Sequence, residues 1–272
     1  MFAFSVSDVA QASERRINLA GRERTLIEQA AKAACFVHLG IEPERHVAEM
    51  RKDREQFEKV LLGLRFGDPE LGLQRETDDA VLAALAKVKQ KWFPYSEALA
   101  GPIETGTVAR ADLDAILAHD LEVLGEMDRT VGLIQRAYGG RDVPLHIAVQ
   151  VNIAGRQRTL SQQMAKQLCM IVAGYDEEAS RAALAETVTL FDNSLSALSN
   201  GMPMLGIQAP KTDALKAQFG VVAARWAEMR TVLDPILAGG AVEREMLAGL
   251  PDLTGTLLDA SDTAVGLYAA ES

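Results

Sequence analysis

Two closely spaced pairs of arginines could do chemistry: Arg22 with Arg24, and Arg156 with Arg158. A guanidinium is a permanently charged fork of donors, suited to a carboxylate or a small oxyanion. Each pair follows a glycine, Gly21 or Gly155, and before that an asparagine, Asn18 or Asn152. Glycine within a helix costs about 1 kcal/mol relative to alanine. Its use here asks for a close approach to the backbone, by another helix or by a small ligand. Between Asp142 and Asp176 there is no acidic residue, yet Arg156, Arg158 and Lys166 lie inside that span; the earlier segment has Glu14, Glu23 and Glu28 beside its arginines. Anion recognition is the chemistry these residues suggest.

If the arginines are helical, residues two apart point about 200° away from one another, so one member of each pair faces a given partner. Arg24 then shares a stripe with Ile17, Ala20, Ala31 and Cys35, and Arg158 with Val151, Ala154, Ala165 and Cys169. These positions are small or apolar, and an arginine among them needs a partner. Arg22 and Arg156 fall on the more polar side with Asn18 and Asn152, to be solvated or to pair with acids of a neighbouring helix. Three readings follow. The arginines form ion pairs inside a helical bundle, or bind a small anion, or mark a helix that docks a partner protein.

The elements that position them come from an internal repeat. The 272-residue chain aligns with itself at a shift of 134: INLAGRERTLIEQAAKAACFV (17–37) lies over VNIAGRQRTLSQQMAKQLCMI (151–171). The same shift pairs Phe57 with Phe191, Trp92 with Trp226, Leu124 with Leu258 and Asp128 with Asp262. Such a period suits a compact domain rather than a solenoid unit. The expectation is two copies of one domain, 1–139 and 140–272, with a seam at GGRDVP (139–144). Apolar spacing is helical throughout. Breaks at GIEP, FGDPELG and GPIETG divide the first copy into helices at 7–39, 44–65, 75–99 and 110–138. Breaks at GYD, NGMPMLGIQAP and GG divide the second into 144–174, 176–200, 211–238 and 242–270. Four helices with short loops fold most simply as an antiparallel bundle. The predicted fold is therefore all-α, two tandem antiparallel four-helix bundles related by internal duplication.

Composition bounds the function. Apolar residues make up 48% and charged residues 24%, an ordinary globular balance. The net charge of −10 disfavours nucleic acid and anionic membranes as direct partners. No apolar run is long enough for a membrane span, and the N-terminus lacks the pattern of a secretory leader, so a cytoplasmic location is expected. Cys35 and Cys169 are too few for a disulfide framework and are expected as free buried thiols. The four histidines stand in the wrong order for a di-iron bundle, and no phosphate loop, nucleophile elbow or H-E-x-x-H appears. No catalytic residue, metal or cofactor is expected.

The segment NIAGRQRTLSQQMAK (152–166), echoed less closely by NLAGRERTLIEQAAK (18–32), resembles the first-helix motif of the PilJ-type sensory domain of type IV pilus chemotaxis transducers, which is related to nitrate/nitrite sensor domains. The resemblance implies a non-catalytic four-helix sensor whose first helix pairs with a twin and holds nitrate or nitrite between the two. The contacting arginine of the A-G-x-x-R pattern falls on Arg24 and Arg158, with Arg22, Arg156, Gly21, Gly155, Asn18 and Asn152 around it. Two copies in one chain could replace a homodimer by an internal pseudo-twofold. The partners implied are a small anion and a signalling or regulatory protein, with a homodimer as a further option. The alternative is a ligand-free helical scaffold or adaptor whose arginines form structural salt bridges.

Overall fold

The computed structural model describes residues 6–270, so the outermost residues of both expected domains lie outside the described part. The first copy forms α1 (Val6–His38), α2 (Pro43–Phe66), α3 (Asp79–Thr105) and α4 (Arg110–Tyr138). The second forms α5 (Leu145–Val172), α6 (Glu177–Asn200), α7 (Asp213–Leu237), a single turn α8 (Arg244–Leu247) and α9 (Leu250–Ala269). Local chemistry sets the starts. Asp78 accepts from the amides of Ala80 and Val81 and begins α3, Asp176 accepts from Ala179 to begin α6, and Thr212 does the same for α7 through Leu215. Each satisfies an amide that a helix N-terminus otherwise leaves unpaired.

Three boundaries differ from the expected ones, the first being the start of α3, which lies at Asp79 after its Asp78 cap rather than at 75. Helix α3 does not stop at 99 but runs through Pro94 and Pro102 to Thr105. Each proline removes one i→i−4 hydrogen bond without stopping the helix, which ends only where Gly106 adopts φ 73°. The last helix, expected as 242–270, is broken instead into α8 and α9. Pro251 in the first turn of α9 has the fixed φ that starts a helix and disfavours running one through from upstream.

The repeat is repeated in three dimensions. Phe57 stacks on Trp92 at 3.7 Å between ring centres, and their counterparts Phe191 and Trp226 stack at 4.2 Å. The turns after α2 and α6 both need glycine. Gly67 (φ 84°) and Gly201 (φ 80°) sit so close to the returning chain that a Cβ would lie 2.8 Å from the amide nitrogens of Arg75 and Ala209. Within each copy the first helix packs on the second and on the last, and the third packs on the last. The two copies meet through α1 and α5, the most extensive helix pair in the molecule.

That pair is parallel and in register. Thr25 Oγ1 lies 3.1 Å from Thr159 Oγ1, and Cys35 is joined to Cys169 by a disulfide. Residues related by the 134-residue shift can touch each other at two levels only if the helices run side by side around a pseudo-twofold axis along their length. The seam positions Asn18, Gly21, Thr25, Glu28, Lys32 and Cys35 alternate three and four apart, the spacing of a parallel coiled coil. The disulfide replaces the expected pair of free thiols. Nothing in the spacing of the two cysteines along the chain indicated that parallel packing would bring their Cα atoms to 6.2 Å.

Candidate anion site

The two buried guanidiniums sit on the α1–α5 seam. Arg24 and Arg158 are each 1% exposed, as expected of the small-residue stripe they share with Ile17, Ala20, Val151 and Ala154, all buried. Their partners are exchanged between the copies. Arg24 Nη2 donates to Asn152 Oδ1 at 2.9 Å, and Arg158 Nη1 donates to Asn18 Oδ1 at 3.0 Å. Each guanidinium also reaches a carboxylate of its own copy: Arg24 Nη1 donates to Asp128 Oδ1 at 2.6 Å, and Arg158 Nη1 to Asp262 Oδ1. The Nε atoms donate to the carbonyls of Gly21 and Gly155.

Arg22 and Arg156 close the network from outside. Arg22 Nη2 lies 3.1 Å from Asp262, and Arg156 Nη2 lies 2.6 Å from Asp128, so each carboxylate bridges a buried arginine of its own copy and a half-exposed arginine of the other. Of the two options for the outer arginines, pairing with acids on neighbouring helices holds. The asparagines do not stay with them on the polar side, as the helical wheel suggested; they turn inward to Arg24 and Arg158. The structure thus brings all eight expected residues to one place. Sequence reasoning did not give Asp128 and Asp262 a role, although they were visible as a repeat-related pair.

Charge does not balance within the cluster, which sets four guanidiniums against two carboxylates. Burial pushes the Arg24 pKa down to about 10, against the opposing pull of Asp128, with Arg156 and Arg158 adding repulsion; it is still charged at neutral pH. Arg158 is lowered too, by burial first and by Arg22. Burial alone would raise Asp128, but Arg24 and Arg156 hold it below the usual carboxylate range. Glu23, expected to weaken the positive potential of the first copy, is fully buried, and desolvation raises its pKa well above the ordinary value.

The glycines explain how the guanidiniums come together. A Cβ on Gly21 would lie 3.3 Å from Arg24 Nη2 and 3.6 Å from Arg158 Nη2; one on Gly155 would lie 3.0 Å from Arg158 Nη2 and 3.8 Å from Arg24 Nη2. Both Nη2 atoms therefore converge on the same small volume against two bare stretches of helix. Arg158 Nη2 is buried there without a hydrogen-bond partner among the described residues, and a buried donor left unpaired costs about 1–3 kcal/mol. The arrangement sets one unpartnered donor beside a second, like-charged guanidinium.

Among the described residues no helix is long and apolar enough to cross a membrane. The family model described as the N-terminal part of type IV pili methyl-accepting chemotaxis transducers, PilJ, matches residues 6–119 and again residues 145–248. No curated protein matches the chain.

Proposed function

The chain belongs to the PilJ family, and from that premise we propose that it is a sensor that binds one small oxyanion, nitrate or nitrite, between α1 and α5 and passes occupancy to a partner protein. The observation that carries this reading is the pair of Nη2 atoms converging over Gly21 and Gly155, one of them unpartnered. A planar trigonal anion offers acceptors to both forks at once. Occupancy would stabilise the arrangement of α1 against α5 in which the two guanidiniums approach, and a signal requires only that another arrangement bind less well. The chain would act without catalysis, each copy serving as one half of the site.

A specific observation favours the second reading, a ligand-free scaffold. Arg24 and Arg158 each pair with a carboxylate of their own copy, Asp128 and Asp262, as structural salt bridges would. Against it stands the surplus of two positive charges, which ion pairing within the cluster leaves unneutralised.

A thermal-shift and calorimetric series with nitrate, nitrite, chloride and sulfate separates the two. A ligand at 100 times its dissociation constant stabilises by about 2.7 kcal/mol. The sensor reading expects this for nitrate or nitrite, and its loss in Arg158→Ala and Arg24→Ala. No shift with any anion at millimolar concentration leaves the scaffold reading standing.

The compartment belongs to the same proposal. A cytoplasmic location requires Cys35 and Cys169 to be reduced in the cell, because cytosolic thiols are kept reduced. Persistence of the bond in protein trapped by rapid alkylation would place the chain in an oxidising compartment instead.

A further inference from the structure

The pseudo-twofold creates two related grooves, one on each side of the α1–α5 pair. In one, helix α2 of the first copy faces α9 of the second across a floor of Lys32 and Gln162; this groove has a volume of about 360 Å³. In the other, α6 of the second copy faces α4 of the first across a floor of Gln163, Lys166 and Gln167, with a volume of about 430 Å³. Apart from the break before α9 the helices of the two grooves correspond, so most differences between them come from the side chains. The α2–α9 groove is spanned by an ion pair, Arg45 Nη2 to Asp252 Oδ1 at 3.0 Å. The α4–α6 groove has alanines at both of those positions, Ala179 and Ala118.

The walls of the α4–α6 groove are apolar where the other's are not. Leu121 and Leu190 are 62% and 46% exposed along it, and the repeat puts Gly255 and Gln56 at the matching positions. Exposed leucines on facing walls suit a ligand with an apolar body. The floor asks for a donor. Thr187 donates its hydroxyl hydrogen to the Ala183 carbonyl at 2.9 Å and so accepts from Gln167 Nε2 at 2.9 Å. This fixes the amide orientation and leaves Gln167 Oε1, in a residue only 7% exposed, without a donor among the described residues. The matching residue of the other groove is Ala33.

Charge points the same way. Asp120 lies on the floor of the α4–α6 groove, its Oδ2 against Lys166 Nζ, and Lys166 also meets Glu28 of α1 behind it. Asp120 thus already pairs with the one ammonium on the floor, while two further acidic residues, Asp176 and Glu186, stand at the rim. At the position of Glu186 the other groove carries Lys52.

We propose that the α4–α6 groove is a second ligand site, distinct from the anion site, for an amphiphilic organic ammonium whose N–H donates to Gln167 Oε1 while its apolar part lies between Leu121 and Leu190. Lys166 lies eight residues beyond Arg158 on α5, about 12 Å along the helix. An occupant would therefore press on the same helix that carries the anion site.

Calorimetry with n-hexylammonium tests this, with 1-hexanol and hexanoate as the neutral and anionic analogues. Saturable binding of hexylammonium is expected, about tenfold or more tighter than hexanol, with none for hexanoate. Gln167→Leu and Leu121→Lys should each weaken it by about tenfold or more; Leu121 is exposed, so the second variant keeps its fold, as a thermal melt will verify. Arg158→Ala should leave hexylammonium binding intact, which separates failure here from failure of the anion reading. Equal affinity for the alcohol, unchanged affinity in both groove variants, or binding of a basic amphipathic peptide without any binding of hexylammonium would overturn the proposal.

Discussion

Reduction of the Cys35–Cys169 disulfide is the perturbation whose size the fold fixes most directly. The bond joins residues 134 apart and is fully buried. In the chain-entropy treatment, the closure entropy removed from the unfolded state grows as 1.5R times the logarithm of loop length, which for this loop gives about 5 kcal/mol at 25 °C. With a urea slope of about 3 kcal/mol per molar, at the upper end of the usual range, the unfolding midpoint should fall by about 1.7 M. The assay compares urea titrations, followed by circular dichroism, of the oxidised protein, the reduced protein and Cys35→Ser/Cys169→Ser. Reduced and serine forms should agree with each other and lie below the oxidised form. Since both cysteines of the bond are fully buried, reduction without denaturant should be slow and should accelerate as urea opens the seam. Coincident midpoints, or two alkylatable thiols in protein unfolded without reductant, would refute the parallel, in-register pairing of α1 and α5 from which the number comes.

Two further outcomes follow from the seam and its flanks. Gly155→Ala puts a Cβ 3.0 Å from Arg158 Nη2 while adding about 1 kcal/mol of helix propensity; the melting temperature should hold or rise while the nitrate-induced shift falls away, and a shift equal to wild type would separate the glycine from the anion site. Burial, with repulsion from Glu49, raises Asp53 to about 8, and burial, with Asp120, raises Glu28 to about 7 despite Lys166. Folded-state values raised above the unfolded ones give stability that is complete below about pH 4 and is lost as pH climbs through 7 and 8. Melting temperature should therefore decline from pH 5 to pH 8, and decline less in Asp53→Asn; a steady rise over that range would contradict the burial of both groups.

Much of this arrangement was legible in the chain because the duplication writes it twice. Identity at the same shift marked Arg24 with Arg158 and Gly21 with Gly155, and helical geometry separated the inward arginine of each pair from the outer one. The resemblance implied that the two first helices pair, but the positions that form their seam were hidden for a physical reason. Its positions are Asn18, Gly21, Thr25, Glu28, Lys32 and Cys35, so hydrophobic periodicity, which finds buried faces by their apolar residues, passes over it. Asp128 and Asp262 were likewise visible as a pair but lie 104 residues from the arginines they meet, and only packing of the last helix against the first brings them there. The end of α3 and the start of α9 were misplaced because α3 continues through Pro102 despite the lost hydrogen bond, whereas Pro251 starts a new helix.

The covalent continuity of the two halves has a consequence for how such a sensor would behave in a cell. A site assembled from two separate chains is lost when the protein becomes scarcer than the dissociation constant of its dimer. Here the halves meet within one molecule, at an effective concentration on the order of millimolar however few copies are present. The response threshold would then be set by the ligand alone, insensitive to expression level and dilution at cell division.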